Sequence, residues 1–216
     1  MARLNRVKSF RGTSKTADGN LTCSRCGDKI KPGDSYLWWA NRTPGSRSGF
    51  KRVRCTKDTC RPMPWEYQTT SPHIAALMMA DHYANENLDQ VEADYEDPEA
   101  MLQLVNEAVQ GAAEGIREAA EGYGEAADNI EDGFGHETYQ SEELRGKSEQ
   151  LETQADDVEN WETDVEPPER EEIEAEDEDR DEEEQKEAWI AAVDEALENA
   201  KEEGRDAITE ACEQAY

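Results

Sequence analysis

Hydrophobic side chains are scarce in this sequence of 216 residues, and they never form a long run. They make up 35% of the chain and aromatic residues 7%, against roughly 45–50% apolar residues in ordinary globular chains. A single large core is therefore not expected, whereas helices that each bury a narrow apolar stripe are. No run of about 18 apolar residues occurs, and residues 1–10 lack the apolar stretch of a secretion signal. We therefore expect a protein that is neither secreted nor embedded in a membrane.

Basic residues are scarce in the last two thirds of the chain. Residues 1–70 hold 15 basic and 5 acidic side chains, a net charge of +10, whereas residues 71–216 hold 8 and 48, a net charge of −40. The amino-acid composition changes at the same place: Gly, Pro, Cys and Trp recur in the first part, whereas Ala, Glu and Leu predominate in the second. The predicted regions are a basic N-terminal arm (1–19), a metal-binding module (20–69), a short helix and linker (70–95) and an acidic antiparallel helical bundle (96–216).

Four of the five cysteines lie in the first part, as two pairs. Two residues separate Cys23 from Cys26 and four separate Cys55 from Cys60, with 28 residues between the pairs. Two such pairs can complete the tetrahedral thiolate shell of one Zn²⁺ ion, and a module with so small a core needs such a link. We predict one structural Zn²⁺ ion, with short strands between the pairs at about Ser35–Asn41 and Phe50–Arg54. Two disulfides are the alternative, which the missing secretion signal disfavours.

Residues 23–27 (Cys-Ser-Arg-Cys-Gly) have the form of a zinc knuckle, in which the final glycine can adopt a positive φ. On these residues, the region of about 20–67 resembles four-cysteine fingers of the treble-clef kind, such as the PARP-type finger. It has Cys55 where that finger has a histidine, and Pro62 and Pro64 where the helix of that finger continues. The resemblance therefore implies a metal site and carries no particular activity with it.

Basic and aromatic side chains are interleaved between the cysteine pairs. Such a set can clamp phosphates and stack bases, so the module is a candidate nucleic-acid reader. Two other interpretations stay open: a contact with protein, including the acidic part of this chain or of a sister subunit, and a purely solubilising role. On an alternating strand, one of two neighbouring tryptophans points inward and the other outward. The candidate contact residues are Lys29, Lys31, Trp38, Trp39, Arg42, Arg47, Lys51, Arg52 and Arg54.

From residue 98 onward the apolar residues follow a helical period. Between Leu102 and Ile130 they alternate spacings of three and four over four heptads, which is typical of a packed helical seam. Similar stripes run through the regions 144–158 and 190–197. The predicted seam residues are Leu102, Val105, Val109, Ile116, Tyr123, Ile130, Leu144, Leu151, Val158, Ile190, Val193 and Leu197.

These patterns predict a mainly α protein, in which a small four-cysteine zinc module with short β-strands precedes an elongated antiparallel helical bundle or coiled coil. We expect its helices at about 98–131, 141–165 and 168–215, with Ser141 as the N-cap of the second. The run 169–187 holds 13 acidic and 3 basic residues. Two interpretations stay open for it, a disordered block of like charge and a solvated extension of the last helix.

The helical region contains a distinctive turn at residues 134–144, with Phe134, His136, Thr138, Gln140, Ser141 and Leu144. With the segments around Ile116 and Trp161, it resembles uncharacterised small proteins of tailed bacteriophages over about residues 100–165. The resemblance implies a helical hairpin and a phage setting, with the host cytoplasm or a virion as the location. Within the turn we expect Phe134 to close the end of the hairpin and His136 to bond a nearby carbonyl, with a contact role for His136 as the alternative.

Sequence motifs for catalysis are missing: we find no phosphate-binding glycine loop, no His-Glu-x-x-His and no supported Ser-His-Asp set. We therefore expect a protein that is not an enzyme. The leading hypothesis is that its acidic helices bind a basic partner protein, including as a DNA mimic against host nucleic-acid machinery. The alternatives are a virion or assembly component that forms a homo-oligomer through its helices, and a zinc-finger regulator that binds nucleic acid.

Overall fold

In a computed structural model, the chain is described for residues 3–12, 19–41, 50–170 and 182–213. The protein is mainly helical, with a few short antiparallel strands in its N-terminal third. It divides into two compact units, which we call the small unit (Met1–Ala75) and the helical unit (Ala76–Tyr216). Within the described ranges, no helix is long and apolar enough to cross a membrane.

The described part of the small unit contains five short strands. They are β1 (Asn5–Val7), β2 (Leu21–Thr22), β3 (Lys29–Ile30), β4 (Tyr36–Asn41) and β5 (Phe50–Cys55). One antiparallel sheet has the order β1-β4-β5, and β2 pairs with β3 in a separate hairpin. The two strands predicted between the cysteine pairs are confirmed within one residue. Part of the predicted arm at 1–19 is instead an edge strand of this sheet, because Val7 pairs with Tyr36 and packs against the core.

The core of the small unit is small and includes two of the predicted metal ligands. Among the described residues, the buried members of its main cluster are Phe10, Cys23, Ile30, Tyr36 and Cys60, and Trp39 is buried outside this cluster. The rings of Phe10 and Tyr36 meet edge to face, with their centroids 5.6 Å apart. Because so few apolar groups leave water, hydrophobic burial alone gives this unit little stability.

Five helices supply the rest of the described fold. They are α2 (Pro72–Gln90), α3 (Pro98–Gln110), α4 (Ala113–Phe134), α5 (Tyr139–Glu159) and α6 (Glu182–Glu213), and they follow a one-turn helix, α1 (Pro64–Gln68). Helix α4 packs against α5, α3 packs against α6, and α6 also contacts α5. Helix α2 is longer than the short helix expected at 70–95, and its buried Leu77 and Leu88 belong to the same core.

Helix bounds differ from the predicted ones where a polar or small residue ends a helix. The helix predicted at 98–131 is divided near Gly111, because the amide of Ala112 bonds to the Val109 carbonyl three residues back and tightens the turn. The helix predicted at 141–165 spans Tyr139–Glu159. Its N-cap is Thr138 rather than Ser141, since the Thr138 hydroxyl accepts a hydrogen bond from the Ser141 amide.

The helix predicted at 168–215 is described from Glu182 to Glu213. Residues 171–181, which include much of the acidic run 169–187, and residues 214–216 lie outside the described part of the chain.

Most of the predicted seam residues are buried, and three lie at the edge of the core. The partly buried ones are Ile130, Leu144 and Ile190. Near the end of α4, Ala127 is buried instead, because a straight α-helix drifts by about 20° per heptad relative to a strict seven-residue repeat. In α6, Trp189 takes the core position beside Ile190, and its Nε1 donates to the carbonyl of Tyr95 at 3.1 Å. The buried members are Leu102, Val105, Val109, Ile116, Tyr123, Leu151, Val158, Val193 and Leu197.

Two helix contacts depend on the absence of a side chain. A Cβ atom placed on Gly204 of α6 would lie 2.7 Å from Cγ2 of Val109 on α3, and one placed on Gly115 of α4 would lie 2.7 Å from Cβ of Ala80 on α2. Both distances are shorter than carbon atoms in contact allow. Glycine therefore lets these helix backbones approach each other closely.

Candidate metal centre and charged surfaces

The first cysteine pair lies on a tight turn between β2 and β3. The amide of Cys23 donates to the carbonyl of Asp28 at 2.9 Å, and the amide of Gly27 donates back to the carbonyl of Cys23 at 3.0 Å. Gly27 has a φ of +77°, which residues with a Cβ rarely adopt. The predicted role of this glycine is confirmed, and the turn points both thiols to one side.

The second pair is brought to the first by β5 and the turn that follows it. Cys55 is the last residue of β5, and Cys60 ends a 3-10 turn at Asp58–Cys60. The amide and the hydroxyl of Ser24 both donate to the carbonyl of Val53, at 2.8 and 2.9 Å, which fastens the knuckle to β5. An ion pair between Lys57 and Asp28 joins the same two segments at the surface.

The four Sγ atoms lie within 4.8 Å of one another. The Sγ atoms of Cys26 and Cys55 are 3.8 Å apart, and a tetrahedron with metal–sulfur bonds of about 2.3 Å has edges of about 3.8 Å. Cys23 and Cys60 are each 1% exposed, whereas Cys26 is exposed. The four cysteines predicted from their spacing thus come together with a geometry that fits one metal ion.

Without a metal ion, the four neighbouring thiols do not all ionise easily, because thiolates this close together repel one another. Burial by itself would raise the pKa of Cys23, but three backbone N–H groups that point at its sulfur lower this pKa to about 6. The amide of Asp28 favours the thiolate of Cys26, yet burial and the neighbouring thiols raise the pKa of Cys26 to about 12. A divalent cation among the sulfur atoms removes this conflict, because metal coordination stabilises all four thiolates together.

The fifth cysteine belongs to the helical unit and takes no part in this cluster. Cys212 is 3% exposed on α6, and burial together with the charge of Asp81 raises the pKa of its thiol to about 12. A buried thiol of this kind acts as a small apolar side chain.

Two predicted contact residues are buried, so the structure removes them from the candidate contact surface. Trp39 is 0% exposed, and its Nε1 donates to the carbonyl of Glu66 on α1 at 2.9 Å. Arg54 is 7% exposed and pairs with the Glu66 carboxylate. Both side chains lie between the sheet and α1, where they stabilise the module and are not available to a ligand.

The remaining contact candidates differ in their surroundings. Lys51 Nζ lies 4.2 Å from the centroid of the partly buried Trp38 ring, a cation–π contact that covers one face of the ring. Arg52 and Lys31 are exposed, and so is Lys29. The other two predicted residues, Arg42 and Arg47, lie outside the described part of the chain.

The few basic side chains of the helical unit largely serve its own packing. Three arginines join neighbouring helices, and Lys201, only 7% exposed, donates to the carbonyl of Val91 at 2.7 Å. These cations hold helices together and neutralise little of the outer surface. The inter-helix pairs are Arg117 with Asp156 and Glu159, Arg145 with Asp128 and Glu131, and Arg205 with Asp89.

Helix α4 carries a straight row of carboxylates on its exposed side. They alternate spacings of four and three residues, so they lie one above another on one helix face. All six are exposed, and of these Asp128 pairs with Arg145. We call this row the acidic stripe: Glu114, Glu118, Glu121, Glu125, Asp128 and Asp132.

The turn between α4 and α5 differs in part from its predicted form. His136 Nδ1 lies 3.0 Å from the carbonyl oxygen of Phe134, as expected for a histidine that bonds a nearby carbonyl. Phe134 itself is 68% exposed and does not close the end of the hairpin. The turn is closed by backbone geometry instead, since Gly135 has a φ of +72° and ends α4.

The burial of Trp39 and Arg54 was not predicted from the sequence. Their partner lies on the five-residue helix α1, which was not expected. Pro62 and Pro64 lie where the helix continues in the finger that residues 20–67 only resemble, and this resemblance argued against a helix at this place. Proline at the first position of a helix is, however, favourable, and Pro64 occupies that position in α1. The signal for α1 was therefore present in the sequence.

In comparisons with known proteins, no family model, no curated protein and no solved structure matches this chain. Its function is therefore argued from its own residues.

Proposed function

We propose that this protein is a non-enzymatic interaction protein whose acidic helical unit binds a basic surface of a partner protein. The observation that carries the proposal is the acidic stripe on α4, which lies on a unit whose described arginines mainly join its own helices. A surface with so many uncompensated carboxylates attracts cations over long distances at low ionic strength. A partner rich in lysine and arginine supplies such cations in fixed positions.

The regular spacing of the carboxylates in the acidic stripe matters in addition to their total charge. Successive carboxylates along α4 are about 5 Å apart along the helix axis, since the axial rise is about 1.5 Å per residue. We propose that the helices act as an antiparallel bundle with a heptad seam, which keeps this row straight. A straight anionic row offers a DNA-binding protein charges in a line, as a nucleic-acid backbone does, so the unit would compete with DNA for such a partner.

The experiment titrates the full chain with a lysine-rich histone, followed by fluorescence anisotropy at ~50 mM NaCl. We expect binding that weakens steeply with salt and that double-stranded DNA displaces. Polyglutamate of equal charge serves as the control for charge without fixed helices, and it should bind at least ~10-fold more weakly. No binding at this salt concentration, or binding no tighter than that of polyglutamate, would overturn the proposal.

A pair of variants with equal charge tests the stripe itself. The stripe variant should lose at least ~10-fold in histone affinity, whereas the control variant, which removes three exposed carboxylates from the loop before α3 and from its first turn, should lose much less. Equal losses would mean that only net charge matters. The stripe variant is Glu118→Gln/Glu121→Gln/Glu125→Gln, and the control is Glu92→Gln/Glu96→Gln/Glu99→Gln.

For the metal centre we propose one Zn²⁺ ion with a structural role. Four cysteine thiolates are the donor set that zinc prefers in structural sites, and they leave no coordination position for a substrate. Metal analysis of the purified chain should give about one zinc per chain. Iron in place of zinc, or two disulfides with no metal, would contradict this assignment.

A second candidate function rests on the exposed cations of the small unit. Lys31, Lys51 and Arg52 remain accessible after Trp39 and Arg54 are buried, and the unit carries net positive charge. We propose a nucleic-acid contact through phosphates, without base stacking on Trp39. Titration of the full chain with a fluorescent DNA duplex at ~50 mM NaCl tests it, and Lys51→Gln/Arg52→Gln should weaken any binding found. Absence of binding would remove this candidate.

A further inference from the structure

The four cysteines of the metal centre differ in how far solvent reaches them. Cys23 and Cys60 are each 1% exposed and belong to the core of the small unit. Cys55 is partly buried, whereas Cys26 is exposed. A reagent dissolved in water therefore reaches Cys26 more readily than the other three, because burial shields a cysteine from attack.

The course of the knuckle explains why Cys26 is the exposed member. Cys23 and Ile30 are both buried, whereas every residue in the range 24–29 between them is exposed. Gly27, next to Cys26, has open space around the position that a Cβ would take, with no atom within 4 Å. The chain thus leaves the core after Cys23 and returns to it at Ile30, and Cys26 lies on the exposed part of the turn.

A second sulfur atom lies close to the exposed one. The Sγ atoms of Cys26 and Cys55 are 3.8 Å apart, and a disulfide needs a separation of about 2 Å. A small movement of the two side chains would close this gap. Cys23 and Cys60 are less free to make such a movement, because both are packed in the core. Cys55 is therefore the thiol best placed to react with an oxidised Cys26.

The two segments that carry these cysteines are also held together without a metal ion. The amide and the hydroxyl of Ser24 both donate to the carbonyl of Val53, two residues before Cys55 on β5. A disulfide between Cys26 and Cys55 would join the same two segments, so it does not require them to separate. The ligands would then remain near their places, and reduction of the disulfide could restore the site.

We propose that Cys26 is a modification site, at which a peroxide oxidises the metal centre and a disulfide to Cys55 is formed. The inference rests on the structural Zn²⁺ ion of the proposed function, and it assigns a regulation to that site. After the disulfide has formed, only the thiolates of Cys23 and Cys60 remain as donors. Structural zinc sites use four ligands, so oxidation releases the ion and reduction allows it to bind again.

The proposed oxidation takes two steps, in which the peroxide accepts two electrons. The Cys26 thiolate attacks one oxygen of hydrogen peroxide, the O–O bond breaks, and the leaving hydroxide takes up a proton to become water. Cys26 is then a sulfenic acid. The Cys55 thiolate attacks its sulfur, the S–S bond forms, and the S–O bond breaks with loss of a second hydroxide, which also becomes water. In total, two thiolates lose two electrons and two protons are consumed.

The experiment uses the full chain with Cys212→Ser, so that every remaining thiol belongs to the metal centre. Hydrogen peroxide is added to the zinc-loaded protein, and a chromogenic chelator measures the zinc that is released. Catalase then removes the peroxide, N-ethylmaleimide in denaturant blocks the free thiols, and peptide mass spectrometry locates them. We expect one zinc ion released per disulfide, with Cys26 joined to Cys55 and with Cys23 and Cys60 blocked. Dithiothreitol with added zinc should restore the metal content.

A second measurement tests the exposure of Cys26 without a ligand variant, which would lose the metal. Iodoacetamide at a limiting concentration should label Cys26 of the zinc-loaded chain at least ~10-fold faster than Cys23 or Cys60. Equal labelling rates would overturn the proposal. So would a disulfide between Cys23 and Cys60, a sulfinic acid at Cys26 with no disulfide, or zinc that stays bound after peroxide treatment.

Failure of this inference and failure of the proposed function give different results. If the reduced chain contains about one zinc ion and peroxide does not release it, this inference is wrong and the zinc assignment stands. If the reduced chain contains no zinc and four free thiols, both are wrong. Neither result changes the proposal for the acidic stripe, which contains no cysteine.

Discussion

The two units of this chain reach a folded state by different means. In the described part of the small unit, the core cluster has five buried hydrophobic residues, two of which are predicted metal ligands, and Trp39 is buried separately beside α1. In the helical unit, the core runs through α2, α3, α4, α5 and α6 and contains large side chains such as Met101, Ile116 and Trp189. On the proposed zinc assignment, the small unit relies on metal coordination and the helical unit on apolar packing, so changes aimed at each should act separately.

The largest effect is expected from the metal centre. Cys26→Ser removes one ligand, and we expect the small unit to unfold and to lose its metal, because structural zinc contributes about 10–16 kcal/mol of binding free energy at neutral pH. Far-UV circular dichroism should show that the helical content is largely kept. Metal analysis and the dispersion of amide signals by NMR measure the loss.

The matched control is Cys212→Ser, which changes the one cysteine outside the cluster. It should keep the metal and lower only the stability of the helical unit, since a hydroxyl replaces a buried thiol. If Cys26→Ser melted the helices as well, the separation of the two units would be disproved.

The next effect concerns the apolar core of the helical unit. Leu151 is 1% exposed on α5, and Leu151→Ala should lower the free energy of unfolding by about 2–5 kcal/mol through lost burial and a cavity. Urea denaturation followed by far-UV circular dichroism measures the change. Metal content should stay at the wild-type value, and a loss of metal would show that the two units are coupled.

Two glycine substitutions on the helices should change the free energy of unfolding in opposite directions. Gly204→Ala places a methyl group 2.7 Å from Val109 Cγ2, and we expect a loss of about 1–3 kcal/mol from overpacking. Gly146→Ala meets no atom within 4 Å on α5, and the higher helix propensity of alanine should stabilise by up to ~1 kcal/mol. Thermal melts of the two variants check this, and two changes of the same sign would refute the close contact of α3 and α6.

The smallest effect is expected from the arginine that joins α4 and α5. Arg117 lies 2.8 Å from Asp156 and also pairs with Glu159. Because the side chain is partly exposed, Arg117→Gln should cost only about 0.5–1 kcal/mol. The cost should shrink between ~20 and ~300 mM NaCl as screening increases. An effect that does not depend on salt would point to lost packing of the arginine stem instead.

Much of the fold follows from local rules that the sequence displays. The spacing of Cys23, Cys26, Cys55 and Cys60 was enough to predict a common cluster, because few arrangements other than a metal site bring two such pairs together. The seam from Leu102 to Tyr123 was also predictable, because a period near 3.5 marks the buried face of a helix, although it runs over the two helices α3 and α4 rather than one.

The parts that could not be predicted depend on contacts between distant segments. Both Trp38 and Trp39 were candidates for stacking, and only the position of α1 decides that Trp39 is buried against Glu66. The choice of Trp189 over Ile190 likewise depends on the Tyr95 carbonyl, which lies 94 positions away in sequence.

The burial of Cys23 and Cys60 has a consequence for how the small unit can change. Two of its four predicted metal ligands are also members of its core, so on the proposed zinc assignment loss of the ion would disturb the apolar packing as well. By mass action, the folded fraction of this unit then follows the concentration of free metal. On the proposed zinc assignment, we therefore expect the folded fraction of the small unit to report on metal supply, whereas the four-cysteine cluster contributes no residue to the core of the helical unit.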